Sequence, residues 1–470
     1  MGKNLTNQVG AGAQREKLGS RLGFLLLSAG CAIGIGNVWK FPYITGQNGG
    51  GMFVLIYILF LVILGVPVLT MEFTLGRASQ KSPMMLYQQL QKPGQKWHVH
   101  GYASFAGSYL LMMFYTVITG MMLLYLKSTV FGDLQGLTPD AVTQFNGDLK
   151  LNYVAIGIAT AVVIVLGFLV CGFGVQKGLE RVTKIMMIAL LFLMIGIAIY
   201  CCCQKGALEG LKFYLVPNLD AMKEVGVGNV IVAAMNQAFF TLSLGIGSMA
   251  IFGSYIGKDR ALMGEAVSVT CLDTVVALTS GLIIFPACFA FNNGNTTAGP
   301  DLIFITLPNI FNNMPGGRII GSLFFVFMFF AAFSTVLGVF EHIIACACER
   351  FNWSRTKSCL INGALMLVLC VPCIVGFALP DKTILLGKGI MDWEDFIVSN
   401  ILLPLGSLTF VLFCTLKAGK GWGWNNFMLE ANQGKGLKVK NWMRIYMSYI
   451  LPVIILALFV VGILQSFGIM

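Results

Sequence analysis

Eleven apolar runs dominate the chain, near residues 21–45, 52–78, 102–130, 151–171, 179–203, 228–255, 262–290, 317–348, 358–379, 394–416 and 442–467. A helix rises 1.5 Å per residue, so about 20 apolar residues cross a hydrocarbon core about 30 Å thick. Each run reaches that length, and several are long enough to tilt or to extend past the bilayer. Inside lipid every backbone N–H and C=O must be satisfied within its own segment, so such runs become helices. Charged residues make up only 11% of the chain and hydrophobic ones 57%, against about 25% charged in soluble domains. The expected fold is an all-α polytopic membrane protein built as one unit rather than several soluble domains.

Most of the 31 lysines and arginines fall in loops on the N-terminal side of the bundle, among them Lys3, Arg77, Lys177, Arg260, Arg355 and Lys438. The positive-inside rule then places the N-terminus, residues 1–20, in the cytoplasm. An odd number of crossings leaves the C-terminus extracellular or periplasmic, in a multi-pass protein of the plasma (inner) membrane. The net charge of +11 is the rim facing anionic lipid, and implies no nucleic acid. The polar first 20 residues run straight into helix 1, so no cleavable signal peptide is expected. The 13 cysteines are mostly single within apolar runs and read as small buried hydrophobes. His98, His100 and His342 show no metal-ligand spacing and read as loop and helix-end residues. No nucleophile–base constellation appears, so no enzyme is expected.

Two of the apolar runs carry residues that weaken a helix. Helix 1 contains "AGCAIGIGN" and helix 6 contains "FFTLSLGIGS", each a Gly-Ile-Gly beside amide or hydroxyl residues. Glycine for close helix packing is one explanation. A break at Gly34 and Gly36, and at Gly245 and Gly247, is the other. The two motifs stand five helices apart in the count, which fits two repeats of opposite orientation, about 21–203 and 228–416, with helix 11 (about 442–467) outside them. Irregular backbone survives at membrane depth only around a cavity or solute. Half-helix N-termini suit an anionic group and freed carbonyls suit a cation. A zwitterionic amino acid with Na⁺ meets both needs.

At these residues the chain resembles the neurotransmitter:sodium symporter family. "RLGFLLLSAGCAIGIGNVWKFPY" is similar to its helix-1 signature, followed by "NGGGMF" and "GVPVLTMEFTLGR". "NQAFFTLSLGIG" resembles its helix 6 and "FFAAFSTVLG" its helix 8. The resemblance runs from about Arg15 to the end of helix 11, and eleven helices resemble the bacterial members. It implies two inverted five-helix repeats and Na⁺-coupled uptake of an amino acid or amine, with a small-molecule substrate and no obligate protein partner.

The resemblance also implies sites. A first Na⁺ site would use the Ala32 carbonyl, Asn37, Thr241 and Asp273, completed by the substrate carboxylate. A carboxylate within a transmembrane helix costs several kcal/mol and is usually functional. A second Na⁺ site would use the carbonyls of Gly30, Ile33 and Ala331 with the hydroxyls of Ser334 and Thr335, although such hydroxyls also bond back along their own helix. The N–H groups of Ile35 and Gly36 and the Tyr115 hydroxyl would hold a substrate carboxylate. The Phe240 carbonyl and Ser243 would receive the amine, and Ala32 and Thr335 border the same space. Leu111, Phe240, Ile246 and Val339 would line an apolar pocket with no charged residue to match a basic or acidic side chain.

Chloride-dependent members carry asparagine at the position of Asp273 and serine at that of Ala277. Tyr57 and Gln237 match other chloride-site positions, yet the fixed charge of Asp273 can take the anion's role, so no chloride is expected. Asp273 could return protonated, giving proton antiport. Lys40 and Asp395 match the outer gate pair, where arginine is usual, and lysine lacks the bidentate fork. Asp392 is also in reach of Lys40. Arg15 and Glu349 match the inner pair, with Leu18 where tryptophan is usual. Glu72 in helix 2 is expected to brace both helix breaks by accepting their free N–H groups. The expected function is Na⁺-coupled import of a neutral, hydrophobic or aromatic amino acid by alternating access. A proton-coupled carrier of the same fold and a non-transporting amino-acid sensor are the alternatives.

Overall fold

The computed structural model describes residues 16–292, 294, 301–378, 389–417 and 419–466. Among them, nine continuous helices are long and apolar enough to cross a membrane. They are Gly51–Ser79 (helix 2), His98–Phe131 (helix 3), Tyr153–Gly172 (helix 4), Val175–Cys202 (helix 5) and Leu262–Phe291 (helix 7). Gly317–Phe351 (helix 8), Arg355–Gly376 (helix 9), Ile390–Thr415 (helix 10) and Met443–Leu464 (helix 11) complete the set. Helix 1 is a bent pair, Arg21–Ala32 and Gly36–Gln47, turning through 57°. Helix 6 is split into Val227–Thr241 and Ser248–Gly253. The bundle has two inverted five-helix repeats, helices 1–5 and 6–10, with helices 1 and 6 unwound and helix 11 beside helix 10.

The helices are not uniform rods, and proline is the reason. Wide i→i+5 turns occur at Gly36–Lys40, Leu61–Gly65, Val175–Glu180, Leu302–Thr306, Ile397–Leu402 and Tyr446–Ile450. Five of these six are followed, two residues past their end, by Pro42, Pro67, Pro308, Pro404 or Pro452. A proline has no N–H, and its ring crowds the carbonyl four residues earlier. Widening the preceding turn moves that carbonyl aside and finds it another donor.

The first half of helix 1 sits in the middle, packed on helices 5, 7 and 8. Ser20 caps it, accepting the Gly23 N–H at 2.9 Å. Its Phe24, Leu26 and Leu27 are buried. Large apolar side chains instead point outward from helices 5, 9 and 11, for example Phe192, Leu360 and Val453. An apolar outer surface of this kind is stable in lipid and not in water.

The basic rim needs one correction. Arg77, at the end of helix 2, is fully buried rather than facing lipid headgroups. It donates to Glu430 Oε1 at 2.7 Å and to the Arg260 carbonyl at 2.7 Å, and also bonds the Glu430 carbonyl. The guanidinium thereby ties the 257–260 loop to the short helix Trp424–Ala431.

Candidate functional site

Helix 1 ends where Ile33 turns extended, at φ −68° and ψ 102°. The freed groups find side-chain partners. Gly34 N–H donates to Asn37 Oδ1 at 3.2 Å and Ile35 N–H donates to the Tyr115 hydroxyl at 3.0 Å. Gln237 Nε2 donates to the Gly36 carbonyl at 2.8 Å, and Ser280 Oγ to the Asn37 carbonyl at 2.8 Å. Gly36 itself lies in the wide helical turn, so the break is narrower than expected and centres on Ile33 and Gly34. A Cβ at Gly34 would sit 2.2 Å from the Tyr115 hydroxyl and 2.6 Å from Thr335 Oγ1. Only glycine lets helices 3 and 8 close on this point.

The helix-6 break is more strained. Ser243, Gly245 and Gly247 have φ of 50°, 89° and 85°, the left-handed region that glycine enters freely and serine rarely. Glu72 Oε1 accepts the Gly245 N–H at 2.6 Å. Its other oxygen has no hydrogen-bond partner. The carboxylate therefore braces only the helix-6 break, while Asn37 and Tyr115 serve helix 1. Ser104 of helix 3 bonds the Ile246 carbonyl.

His342 corrects another expectation. It lies fully buried within helix 8, not at a helix end. Its Nδ1 is 3.2 Å from Ser108 Oγ and its Nε2 is 3.5 Å from Ser104 Oγ. His98 and His100 do stand at the start of helix 3, and His100 Nδ1 meets the Tyr87 hydroxyl at 2.9 Å. Two serines one helical turn apart on helix 3 were the signal in the sequence for a buried partner.

Two oxygen clusters flank the helix-1 break. In one, Asp273 Oδ1 lies 2.8 Å from Asn37 Nδ2, and Asp273 Oδ2 lies 3.1 Å from Thr241 Oγ1. Asn37 and Asp273 are both fully buried, and no lysine or arginine pairs with Asp273 among the described residues. The Tyr57 hydroxyl stands 3.3 Å from Thr241 Oγ1. In the other, Thr335 Oγ1 lies 3.2 Å from the Ile33 carbonyl and 3.5 Å from that of Gly30. Ser334 Oγ lies 2.9 Å from the Ala331 carbonyl and 3.5 Å from that of Ile33. The second set is all oxygen, and the first would be once Asn37 presented its amide oxygen, which suits a hard cation. No His, Cys, Asp or Glu group of three or more suits a transition metal among the described residues.

Between the clusters is a small cavity lined by Ala32, Gly34, Gly36, Leu111, Tyr115, Phe240, Ser243, Ile246, Thr335, Val398 and Leu403. Val339 is buried but does not line it, because the lining on helix 8 stops one turn earlier at Thr335. Val398 and Leu403 of helix 10 went unrecognised in the sequence. The wide turn that aims them inward is marked there only by Pro404.

Residues 15–138 and 144–468 match the sodium:neurotransmitter symporter family. The chain belongs to this family. It is a sodium-dependent transporter, and not an enzyme. The symporter is 36% identical over 448 residues to an uncharacterised sodium-dependent transporter, YhdH, of Bacillus subtilis, covering 95% of this chain and 98% of that one. It is 26% identical to the sodium-dependent serotonin transporter of Drosophila melanogaster, covering 96% of this chain and 76% of that one. The crystal structure of MhsT in complex with L-phenylalanine superimposes with a TM-score of 0.85 at 37% identity, covering 95% of this chain and all of that one.

On one side of the symporter's cavity, Lys40 Nζ lies 3.6 Å from Asp395 and 3.9 Å from the centre of the Phe240 ring. Asp392 is not its partner: that carboxylate accepts the Gly389 N–H at 3.3 Å and caps helix 10. On the other side, Glu349 accepts the Ser82 N–H at 2.8 Å and its hydroxyl at 2.7 Å. Arg15 lies outside the described residues. Leu18 donates its N–H to the Tyr255 carbonyl at 3.3 Å.

Proposed function

We propose that this symporter imports a neutral, hydrophobic or aromatic amino acid with two Na⁺ ions, independently of chloride, across the plasma (inner) membrane. The observation that carries the reading is Asp273, buried against Asn37 and Thr241 beside a cavity without any charged lining residue. The first Na⁺ would take the Ala32 carbonyl, Asn37 Oδ1, Thr241 Oγ1, the Asp273 carboxylate and a substrate carboxylate oxygen. For this, Asn37 turns its amide so that oxygen replaces nitrogen toward Asp273. The second Na⁺ would take the carbonyls of Gly30, Ile33 and Ala331 with Ser334 and Thr335, joining helix 1 to helix 8.

The substrate carboxylate would take the Ile35 and Gly36 N–H groups together with the Tyr115 hydroxyl, which now accepts from Ile35. The amine would face the Phe240 carbonyl and Ser243. The side chain would lie between Leu111, Phe240 and Ile246, where a buried unpaired charge is strongly disfavoured. MhsT, bound to L-phenylalanine, supports a neutral amino acid as substrate. Lys40 and Asp395 would close the outer path, and Glu349 the inner one. The basic loops support a cytoplasmic N-terminus, which would make the Lys40 side outer.

Proteoliposomes test this directly. All twenty amino acids compete against a labelled hydrophobic amino acid, with Na⁺ or choline and with chloride or gluconate. Leucine, methionine, phenylalanine and tryptophan should compete only in Na⁺ and equally well in gluconate. Glutamate or lysine outcompeting them would overturn the reading.

A further inference from the structure

We propose that Val398 and Leu403 of helix 10 form the wall that sets how large a substrate side chain the pocket accepts. The proposal rests on the neutral amino-acid reading above. Both residues line the cavity, and both are almost completely buried. In an α-helix, residues five apart point about 140° away from each other, so they could not share one wall. Here the turn Ile397–Leu402 is wide, and the Leu403 N–H bonds the Val398 carbonyl. Leu403 therefore stacks one turn beyond Val398, on the same side. Pro404 follows directly and cannot supply the N–H an α-turn would need.

The wall is also backed so that it cannot retreat. A Cβ at Gly245 would lie 2.1 Å from the Leu403 carbonyl oxygen, so helix 10 rests on the backbone of the helix-6 break. Leu402 fills the groove at Gly107 of helix 3, where a Cβ would lie 2.7 Å from its Cδ1. Helix 10 is thus pinned between helices 3 and 6, and pocket volume on this side is decided by the two side chains. Both are aliphatic and present no polar atom. They discriminate by size and leave polarity to Tyr115, Ser243 and Thr335 on helices 3, 6 and 8.

The test is a substitution series in Na⁺-containing proteoliposomes: Val398→Ala, Val398→Ile, Val398→Phe and Leu403→Ala, with the outward-facing Leu405→Ala as control. Competition constants are read for alanine, valine, phenylalanine and tryptophan. Removing or adding one methylene in an apolar pocket changes discrimination by about 10–200-fold. Val398→Ala and Leu403→Ala should each favour tryptophan over valine by roughly tenfold or more relative to the parent. Val398→Phe should reverse the order and spare alanine, with Val398→Ile between. Half-saturation by Na⁺ with alanine should stay unchanged, which separates a lost wall from general damage. Equal shifts for all four amino acids, or ratios matching Leu405→Ala, would overturn the proposal. If the parent instead binds only acidic, basic or amine solutes, the function reading falls. The ratio of short to long members of that class then still decides for or against the wall.

Discussion

The side-chain amide nitrogen of Asn37 donates to the carboxylate of Asp273 at 2.8 Å, deep between helices 1 and 7. The pair occupies the space where the first Na⁺ would bind, and the amide presents its wrong end to a cation. In the proposed site, ion binding would turn Asn37 and so release the Gly34 N–H that its oxygen now accepts at 3.2 Å. The local backbone of the helix-1 break and the proposed ion would then be linked through one side chain.

That link predicts mutual dependence of Na⁺ and substrate. Each should raise the other's affinity by the same factor. Replacing Na⁺ with choline should abolish high-affinity amino-acid binding, measured by scintillation proximity or calorimetry. Asn37→Ala should weaken the Na⁺ dependence and the substrate affinity together. Substrate affinity indifferent to Na⁺ would remove the shared ion from the mechanism.

The buried charge of Asp273 predicts the behaviour toward anions. Ala277, one turn along helix 7, is buried and offers no hydroxyl. Uptake by the unaltered protein should persist when gluconate replaces chloride. Asp273→Asn combined with Ala277→Ser should become chloride-dependent, because it restores a donor pair and removes the fixed charge. A double variant that is active yet indifferent to chloride would refute the anion-replacing role.

Glu72 holds the helix-6 break by one hydrogen bond of 2.6 Å to Gly245. Glu72→Ala leaves that buried N–H without an acceptor and should cost about 1–3 kcal/mol. Glu72→Gln keeps an acceptor and should retain most of the stability. Thermal unfolding in detergent separates the two. Equal loss in both variants would show that the charge, rather than the bond, is what the break requires.

Arg77→Ala should be among the most damaging substitutions outside the cavity. It strands Glu430 in a nearly buried position with Lys258, at 4.0 Å, as its one remaining cationic partner among the described residues. Breaking a buried pair from one side costs about 3–5 kcal/mol. Glu430→Gln in the Arg77→Ala background should recover part of this. A double-mutant cycle on unfolding temperature measures the coupling, and additive losses would contradict it.

Helix number, the two breaks and the family were legible because lipid leaves a chain so few options. A run of apolar residues must be helical, and glycines with an asparagine in its middle have few explanations. Side-chain partnerships were less legible. His342 reads as an isolated polar residue until Ser104 and Ser108 are seen on the facing helix. Glu72 lies within reach of both breaks by sequence, but its direction is fixed by packing. Val398 and Leu403 escaped because α-periodicity assigns them to different faces, and a single proline does not reveal the register change it causes. Val339 failed for the complementary reason: periodicity puts it on the right face of helix 8, but the cavity ends a turn before it.

Helix 10 lies so close to the helix-6 break that a methyl group at residue 245 or 406 would collide with the opposing backbone, at 2.1 Å and 2.0 Å. Two backbones in bare contact have no side chains to bend between them, so a shift in one would be passed to the other like spokes of one wheel. Asp395 rides on that same helix, two turns before Leu403. Under the proposed import cycle, a solute that shifted the break would therefore carry with it the carboxylate that faces Lys40. The proposed latch at Lys40 would then be geared to the floor of the chamber behind it.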